Sequence, residues 1–388
     1  MRKLLIIGQV WPEPDSSAAG SRMLQLIGLF LEHRYKITYA STAAESDHAV
    51  DLVALGLKTQ IVPLNNSRFD SFLKEENPEI VMFDRFMVEE QFGWRVAQIC
   101  PNALRILDTE DLHFLRKARQ KALEENQNFK KTDLFSDIAK REIASIFRCD
   151  MSLIISEAEK KLLLEQFKID ENLLCYLPFL LNGLLKTELE TLPSFEEREH
   201  FVSIGNFLHP PNWDKVYYLK NEIWPLIRKE LPDVELHLYG AYAPEKAMRL
   251  HDPKSGFFME GKGENVKRIF ENARIVLAPL RFGAGLKGKF FDAMQSGTPC
   301  VTTTIGAEGI CGALPWCGEI ANTPETLAKA AIVLYQSKAR WGKAQKAGFE
   351  IIHRRFRKSF LPNLLCNDWK LCKKICKLTG KKISWAPC

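Results

Sequence analysis

Lys287 and Lys289 stand among Gly283, Gly285 and Gly288, inside the stretch RIVLAPLRFGAGLKGKFFDAMQSGTPCVTTTIGAEGI that runs from Arg274 to Ile310. Glycine lets backbone N–H groups come close to an anion. The pattern predicts a short buried strand over Arg274–Pro279 and a helix over Leu286–Ser296, stopped by Gly297 with Pro299 beyond, then a second strand over Cys300–Thr304. A helix N-terminus carries about half a positive charge. Lysine is poorly placed there in a purely structural helix, where Asp or Glu is favoured, and well placed under a bound anion. A diphosphate fits. Asp292, at least one turn further on, can accept hydrogen bonds from ribose hydroxyls. The same residues also suit a plain crossover, because glycine loops are common.

Other polar residues gather at predicted strand ends. Asp84 and Arg85 close PEIVMFDRF, where a ligand would sit at the carboxyl end of a parallel strand. An internal salt bridge is the commoner fate of such a pair. Asp108, Glu110, Asp111, His113, Arg116 and Arg119 crowd together after a further strand. A helix would bring His113, Arg116 and Arg119 to one side. Asp15, Ser16 or Ser17 can cap a helix predicted over Ala18–Glu32, with Gly20 in its first turn. That start favours anions or serves packing alone. Two carboxylates three residues apart, Asp108 and Asp111, make no cation cage. We expect no metal site and no cofactor.

These groups need a scaffold. Short apolar runs at Leu4–Ile7, Lys36–Ser41, Thr59–Pro63, Glu79–Asp84, Ala103–Asp108 and Ser152–Ile155 alternate with helical patterns. The alternation resumes with Phe201–Gly205, Val234–Tyr239 and Phe257–Glu260, and a helix from the NFLHPPNWDKVYYL segment to about Arg228. Lys121–Phe147 reads as charged helix. Ser156 and Glu159 form a capping-box pattern. The expected class is therefore α/β, with two Rossmann-like parallel-sheet domains facing a central cleft. The boundaries are 1–185, 200–355 and a crossover helix with basic tail at 356–388, and the polar segment Lys186–His200 is the linker.

Composition narrows the partners. The 388 residues carry a net charge of +6, which suits a phosphorylated ligand or an anionic membrane surface and is too weak to imply nucleic acid. The 10 cysteines include no CxxC pair, which argues for a reducing compartment. No apolar run approaches the roughly 20 residues of a membrane-spanning helix. Trp369, Leu371, Ile375 and Leu378 interleave with lysines in the tail, a short basic amphipathic pattern or a plain basic tail.

The run FFDAMQSGTPCVTT resembles the nucleotide-sugar site of retaining glycosyltransferases of the GT-B fold, family four, the glycosyl transferases group 1. Within that family the loop Gly-Ala-Gly-x-Lys-x-Lys and the His-x-Pro-Asn turn at His209 and Asn212 resemble one subgroup. The resemblance covers most of 1–365. It implies a nucleotide-sugar donor held by the second domain at Asn206, His209, Asn212, Arg281, Gly283, Ala284, Gly285, Lys287, Lys289, Asp292 and Glu308, with Ser17 and Gly20 facing it. Asp111 and His113 would lie near the sugar's anomeric carbon. Asp84 and Arg85 would meet a glycan or lipid-linked acceptor. It further implies sugar transfer with retention, metal independence, polysaccharide or glycoconjugate synthesis, and a cytoplasmic place, with peripheral contact at the inner face of the plasma membrane. Three departures stand out. Ala284 occupies the first Glu of the family's Glu-x7-Glu, Asn206 occupies an Arg whose companion Lys is also missing, and PFLLNG replaces Pro-Asn-Gly. An epimerase of the same fold, or a nucleotide-sugar-binding subunit without catalysis, would share most of these residues.

Overall fold

The computed structural model describes residues 2–360. The first sheet has seven strands: β1 (Lys3–Gly8), β2 (Lys36–Ser41), β3 (Lys58–Ile61), β4 (Ile80–Asp84), β5 (Leu104–Asp108), β6 (Met151–Ile154) and β7 (Leu174–Tyr176). They lie in the order β3-β2-β1-β4-β5-β6-β7. The second has six: β8 (Phe201–Ile204), β9 (Leu236–Tyr239), β10 (Phe257–Gly261), β11 (Ile275–Ala278), β12 (Cys300–Thr302) and β13 (Gly318–Ile320). Their order is β10-β9-β8-β11-β12-β13. Every pairing between these strands is parallel. Strand order reverses at β1/β4 and at β8/β11, and ligands collect beyond the carboxyl ends of strands at such points.

Parallel strands are covered on both faces, so they read as continuous apolar runs. Leu5 and Ile7 face one core and Leu4 and Ile6 the other, all at most 1% exposed. The second sheet is likewise sandwiched: Phe201, Leu236 and Leu277 pack on one side, Val202, Val276 and Cys300 on the other. That last cluster also takes in Ile155, Phe179 and Leu181 from the first half. The rings of Phe179 and Phe291 lie 5.0 Å apart. An apolar seam thus joins the halves at the base of the cleft.

The predicted helix Ala18–Glu32 is found with those bounds, because Ser17 Oγ accepts from the Gly20 N–H at 3.0 Å and fixes its start. The stretch Lys121–Phe147 is not one helix. One helix ends at Glu124 and another starts at Asp137, capped by Ser136. The helix after Pro210 runs to Glu230 through a π-helical turn at Leu219–Ile223. The end of the linker is pinned by Arg198. Its buried guanidinium donates to the carbonyls of Pro193, Phe270, Ala273 and Ser296 and to Thr298 Oγ1. Ser296 ends the helix Gly288–Gln295, so a cation meets that helix's negative pole. After Ile352–Phe356 the chain returns to the first half, where Leu181 N–H donates to Phe356 O and Lys358 N–H to Leu181 O, both at 2.8 Å. The basic amphipathic pattern of the tail lies outside the described residues.

Candidate functional site

A cleft of about 940 Å³ opens between the two sheets. Its floor is made by the loops after β1, β4 and β5 on one side and after β8 and β11 on the other. The helices Ala18–Glu32 and Gly288–Gln295 point their N-termini into it from opposite halves. They nearly touch: a Cβ on Gly288 would stand 2.7 Å from the Ala18 Cβ. Two positive helix poles therefore converge on one space.

Three lysines gather beside them. Lys287 donates to Gly285 O at 3.0 Å, Lys289 to Asn212 Oδ1 at 2.5 Å, and Lys215 to Ile204 O at 3.0 Å. Lys287 and Lys215 are buried. Burial lowers Lys287 to about 8 and Lys289 to about 7, and takes Lys215 well below its ordinary value. None of the three makes an ion pair within 4.0 Å among the described residues. Lys287 and Lys289 line the cleft side by side with no carboxylate in contact, an arrangement suited to an anion. Lys215 went unnoticed in the sequence, where it reads as one more helical lysine. The helix from Pro210 turns it inward onto Ile204 O, next to Lys289 and behind the cleft lining.

The loop itself is held from the other half of the molecule. Glu159 Oε1 accepts from the Gly285 N–H at 2.7 Å and from the Leu112 N–H at 3.1 Å. Arg119 grips Glu308 through two hydrogen bonds of 2.8 Å and donates a third, also 2.8 Å, to Gly283 O. The Ser156–Glu159 capping box is therefore not made, since Glu159 is spent on this bridge and Ser156 makes no capping bond. Glu142 completes the arrangement by accepting from the backbone N–H groups of His113 and Phe114 at 3.2 and 3.0 Å. The helix that carries His113 thus starts on two buried carboxylates rather than on its own cap.

The sequence candidates divide. Ser17, Arg85, Asp111, His113, Asn206, His209, Asn212, Gly283, Ala284, Gly285, Lys287, Lys289 and Asp292 all line the cleft. Asp111 pairs with Arg116, and its Oδ1 lies 3.3 Å from His113 Nε2. Burial would raise the Asp111 carboxyl, but Arg116 holds it low. Burial drops His113 and His209 to about 4, so both imidazoles are neutral at neutral pH. Asn212 donates to Asn206 O at 2.9 Å while accepting from Lys289, and so links the β8 turn to the glycine loop. Asp292 is exposed to the cleft. Its crowded surroundings raise it to about 6. It makes no ion pair with Lys289.

Four candidates sit elsewhere. Gly20 is buried against the backbone of Glu13, where any Cβ would clash at 2.4 Å, so its role is close packing. Asp84 lies behind Arg85 and accepts from the Gln9 N–H at 3.1 Å. Arg281 is held by Asp214, with hydrogen bonds of 2.5 and 3.0 Å, and lies over the Tyr218 ring. It does not line the cleft, because a nearby carboxylate and ring offer it a better partner than open solvent. Glu308 is taken by Arg119. Among the described residues no three His, Cys, Asp or Glu side chains gather to hold a metal ion, and no helix is long and apolar enough to cross a membrane.

Residues 198–337 match the family model of the Glycosyl transferases group 1. A Klebsiella pneumoniae protein described as an uncharacterized 44.6 kDa protein in the cps region is 29% identical over 113 residues, and that match spans 27% of this chain and 29% of the relative. Three solved structures share the fold. Sucrose-phosphate synthase from Thermosynechococcus elongatus has a TM-score of 0.70 at 14% identity, with 97% of this chain and 100% of that one covered. WaaG, a glycosyltransferase involved in lipopolysaccharide biosynthesis, has 0.63 at 12% identity, covering 98% and 100%. Anabaena HepE in complex with UDP-glucose has 0.68 at 9% identity, covering 96% and 100%. The two parallel-sheet α/β domains are thus those of the GT-B fold.

Proposed function

We propose that the protein is a glycosyltransferase that moves a sugar from a nucleoside-diphosphate donor to a hydroxyl of a glycan or lipid-linked acceptor, with retention, in cell-envelope polysaccharide or glycoconjugate synthesis. One observation carries the reading: Lys287 and Lys289, neither of them in an ion pair among the described residues, line the cleft where two helix N-termini converge. A bound diphosphate would relieve their mutual repulsion. As the sugar–phosphate bond breaks, negative charge grows on the leaving oxygen, and fixed N–H and ammonium donors stabilise it without reorganising. Asp111 stays ionised and can face the positive charge that develops at the anomeric carbon. Neutral His113 beside it can accept or donate a hydrogen bond at a sugar hydroxyl. The match at residues 198–337 and the polysaccharide context of the relatives support the same assignment. The expected setting is the cytoplasmic side, with peripheral contact at an anionic inner membrane.

Titration calorimetry with uridine, guanosine, adenosine and cytidine diphosphates tests the reading. Binding of one of them in the micromolar range is expected, and no binding by any would end it. Because lysines supply the charge, transfer is expected to persist in excess chelator. Activity lost there and restored by manganese or magnesium would overturn the leaving-group account.

Asp292 is proposed to hold the ribose. Asp292→Asn keeps the shape but turns an acceptor-only carboxylate into a mixed donor and acceptor. A donor KM raised about fivefold or more is expected, as for one lost charged hydrogen bond, with a melting temperature no lower than wild type, since the crowding that raises the carboxyl to about 6 is a cost the amide does not carry. Asp292→Glu should be better tolerated. A wild-type donor KM for Asp292→Asn would remove the ribose role.

A further inference from the structure

Across the cleft from the lysines, three guanidiniums are each matched to a carboxylate, and Glu110 stands beside them unmatched. Arg22 is bonded to Asp108 at 2.8–3.2 Å, Arg85 Nη1 lies 3.6 Å from Asp84, and Arg116 is paired with Asp111. Glu110 has no such partner. Its Oε1 is buried without a hydrogen bond among the described residues, yet the residue lines the cleft. Its backbone is also left-handed, with φ of 62°. A non-glycine residue is held there only when its surroundings impose it, and such strain concentrates at functional sites. Ser16 Oγ, on the same wall, is likewise buried and unpartnered.

We propose that Glu110 is the acceptor-side contact of the cleft and that it binds a hydroxyl of a neutral sugar unit. The assignment rests on the transfer reading above and specifies its acceptor. A hydroxyl can donate to the spare carboxyl oxygen, and further hydroxyls can reach Ser16. An anionic unit, such as a uronate or a sugar phosphate, would bring another negative charge beside Glu110 where every guanidinium is already matched. Burial, together with Asp108, raises Glu110 to about 8, which fits a carboxyl with no cation of its own. A carboxylic acid presents both a donor and an acceptor to a hydroxyl.

The test is saturation-transfer NMR on the full chain with saturating uridine diphosphate. Methyl glucoside, methyl galactoside and methyl mannoside serve as neutral probes, glucuronate and glucose 6-phosphate as anionic ones. We expect wild-type signals from at least one neutral probe to exceed the anionic signals about fivefold. Glu110→Asn suits the left-handed backbone and withdraws the carboxyl, and should cut the neutral signal about fivefold, the scale of one lost hydrogen bond. Glu110→Gln, which keeps the reach, should retain most of it. Calorimetric affinity for uridine diphosphate should stay within about twofold in both variants, since the lysine wall is untouched. Neutral signals equal in wild type and Glu110→Asn, or dominant anionic signals, would overturn the assignment while leaving nucleotide binding intact. Absence of diphosphate binding in the wild type would instead overturn the transfer reading beneath it.

Discussion

Lys289→Met is expected to weaken nucleoside-diphosphate binding by about 10–100-fold, the loss of one charge-assisted hydrogen bond at roughly 1.5–3 kcal/mol, while raising the melting temperature of the free protein. The two effects share a cause. Lys289 donates to Asn212, an uncharged amide, and titrates beside Lys287 and Lys215 with no counter-ion of its own. Burial brings its value from 10.5 down to about 7. For a base the sign is unfavourable: below its folded value the unfolded chain binds the proton more tightly, so the penalty is fully present at pH 7 and below. It fades as pH rises toward 10.5. Removing the charge removes the penalty. The stabilisation by Lys289→Met should therefore be largest near pH 6 and shrink toward pH 10, as thermal scans across that range would reveal. Ligand binding at pH 8 should take up protons as the anion restores the ammonium state, which calorimetry in buffers of different ionisation enthalpy reads directly. A variant that loses affinity and stability together would mean that Lys289 is a structural strut and not a poised anion ligand.

This balance of local and distant causes also decides what the sequence disclosed. Signals contained within a few residues were legible: a cap among Asp15, Ser16 and Ser17, Gly297 and Pro299 as a stop, and the apolar runs of β1, β2, β4 and β11. Two strands escaped. β7 and β13 are three residues each, too short for any periodicity to register. Residues acting over long sequence distances were misread or passed over. Glu159 satisfies a capping-box pattern but bonds across 47 and 126 residues instead. Arg119 looked like one member of a charged helical face and reaches Glu308, 189 residues away. Arg281 fits a ligand cation by position, yet Asp214, 67 residues earlier on the helix that starts at Pro210, claims it. Local competition for hydrogen bonds is written in the sequence, whereas the partner that wins is set by the packing of the two halves.

Gly285→Ala tests that packing where it is tightest. Gly285 has φ of 63°, so an alanine there costs about 1 kcal/mol or more in backbone conformation. The added Cβ would also stand 2.8 Å from the Asp111 Cβ and 3.3 Å from Glu110 O, both on the opposite half of the molecule. Neither is the free end of a flexible side chain, so the loop must retreat. Retreat stretches the 2.7 Å bond from the Gly285 N–H to Glu159 and moves the carbonyl that holds Lys287. We therefore expect diphosphate affinity to fall by about tenfold or more, and transfer to fall further, because both binding and the placement of Asp111 depend on the same contact. Gly342→Ala is the control. It sits in the helix Lys338–Ile351 with nothing within 4 Å of a new Cβ, and should stabilise by about 0.5–1 kcal/mol without touching affinity. Glu159→Gln separates strain from hydrogen bonding. Both N–H groups go to one oxygen, Oε1, while Oε2 has no partner, so a glutamine can keep both bonds and should bind diphosphate nearly as well as wild type. If Gly285→Ala binds the diphosphate as tightly as Gly342→Ala does, the close approach of the loop to Asp111 is not what shapes the anion site, and the two halves must form their contacts independently of it.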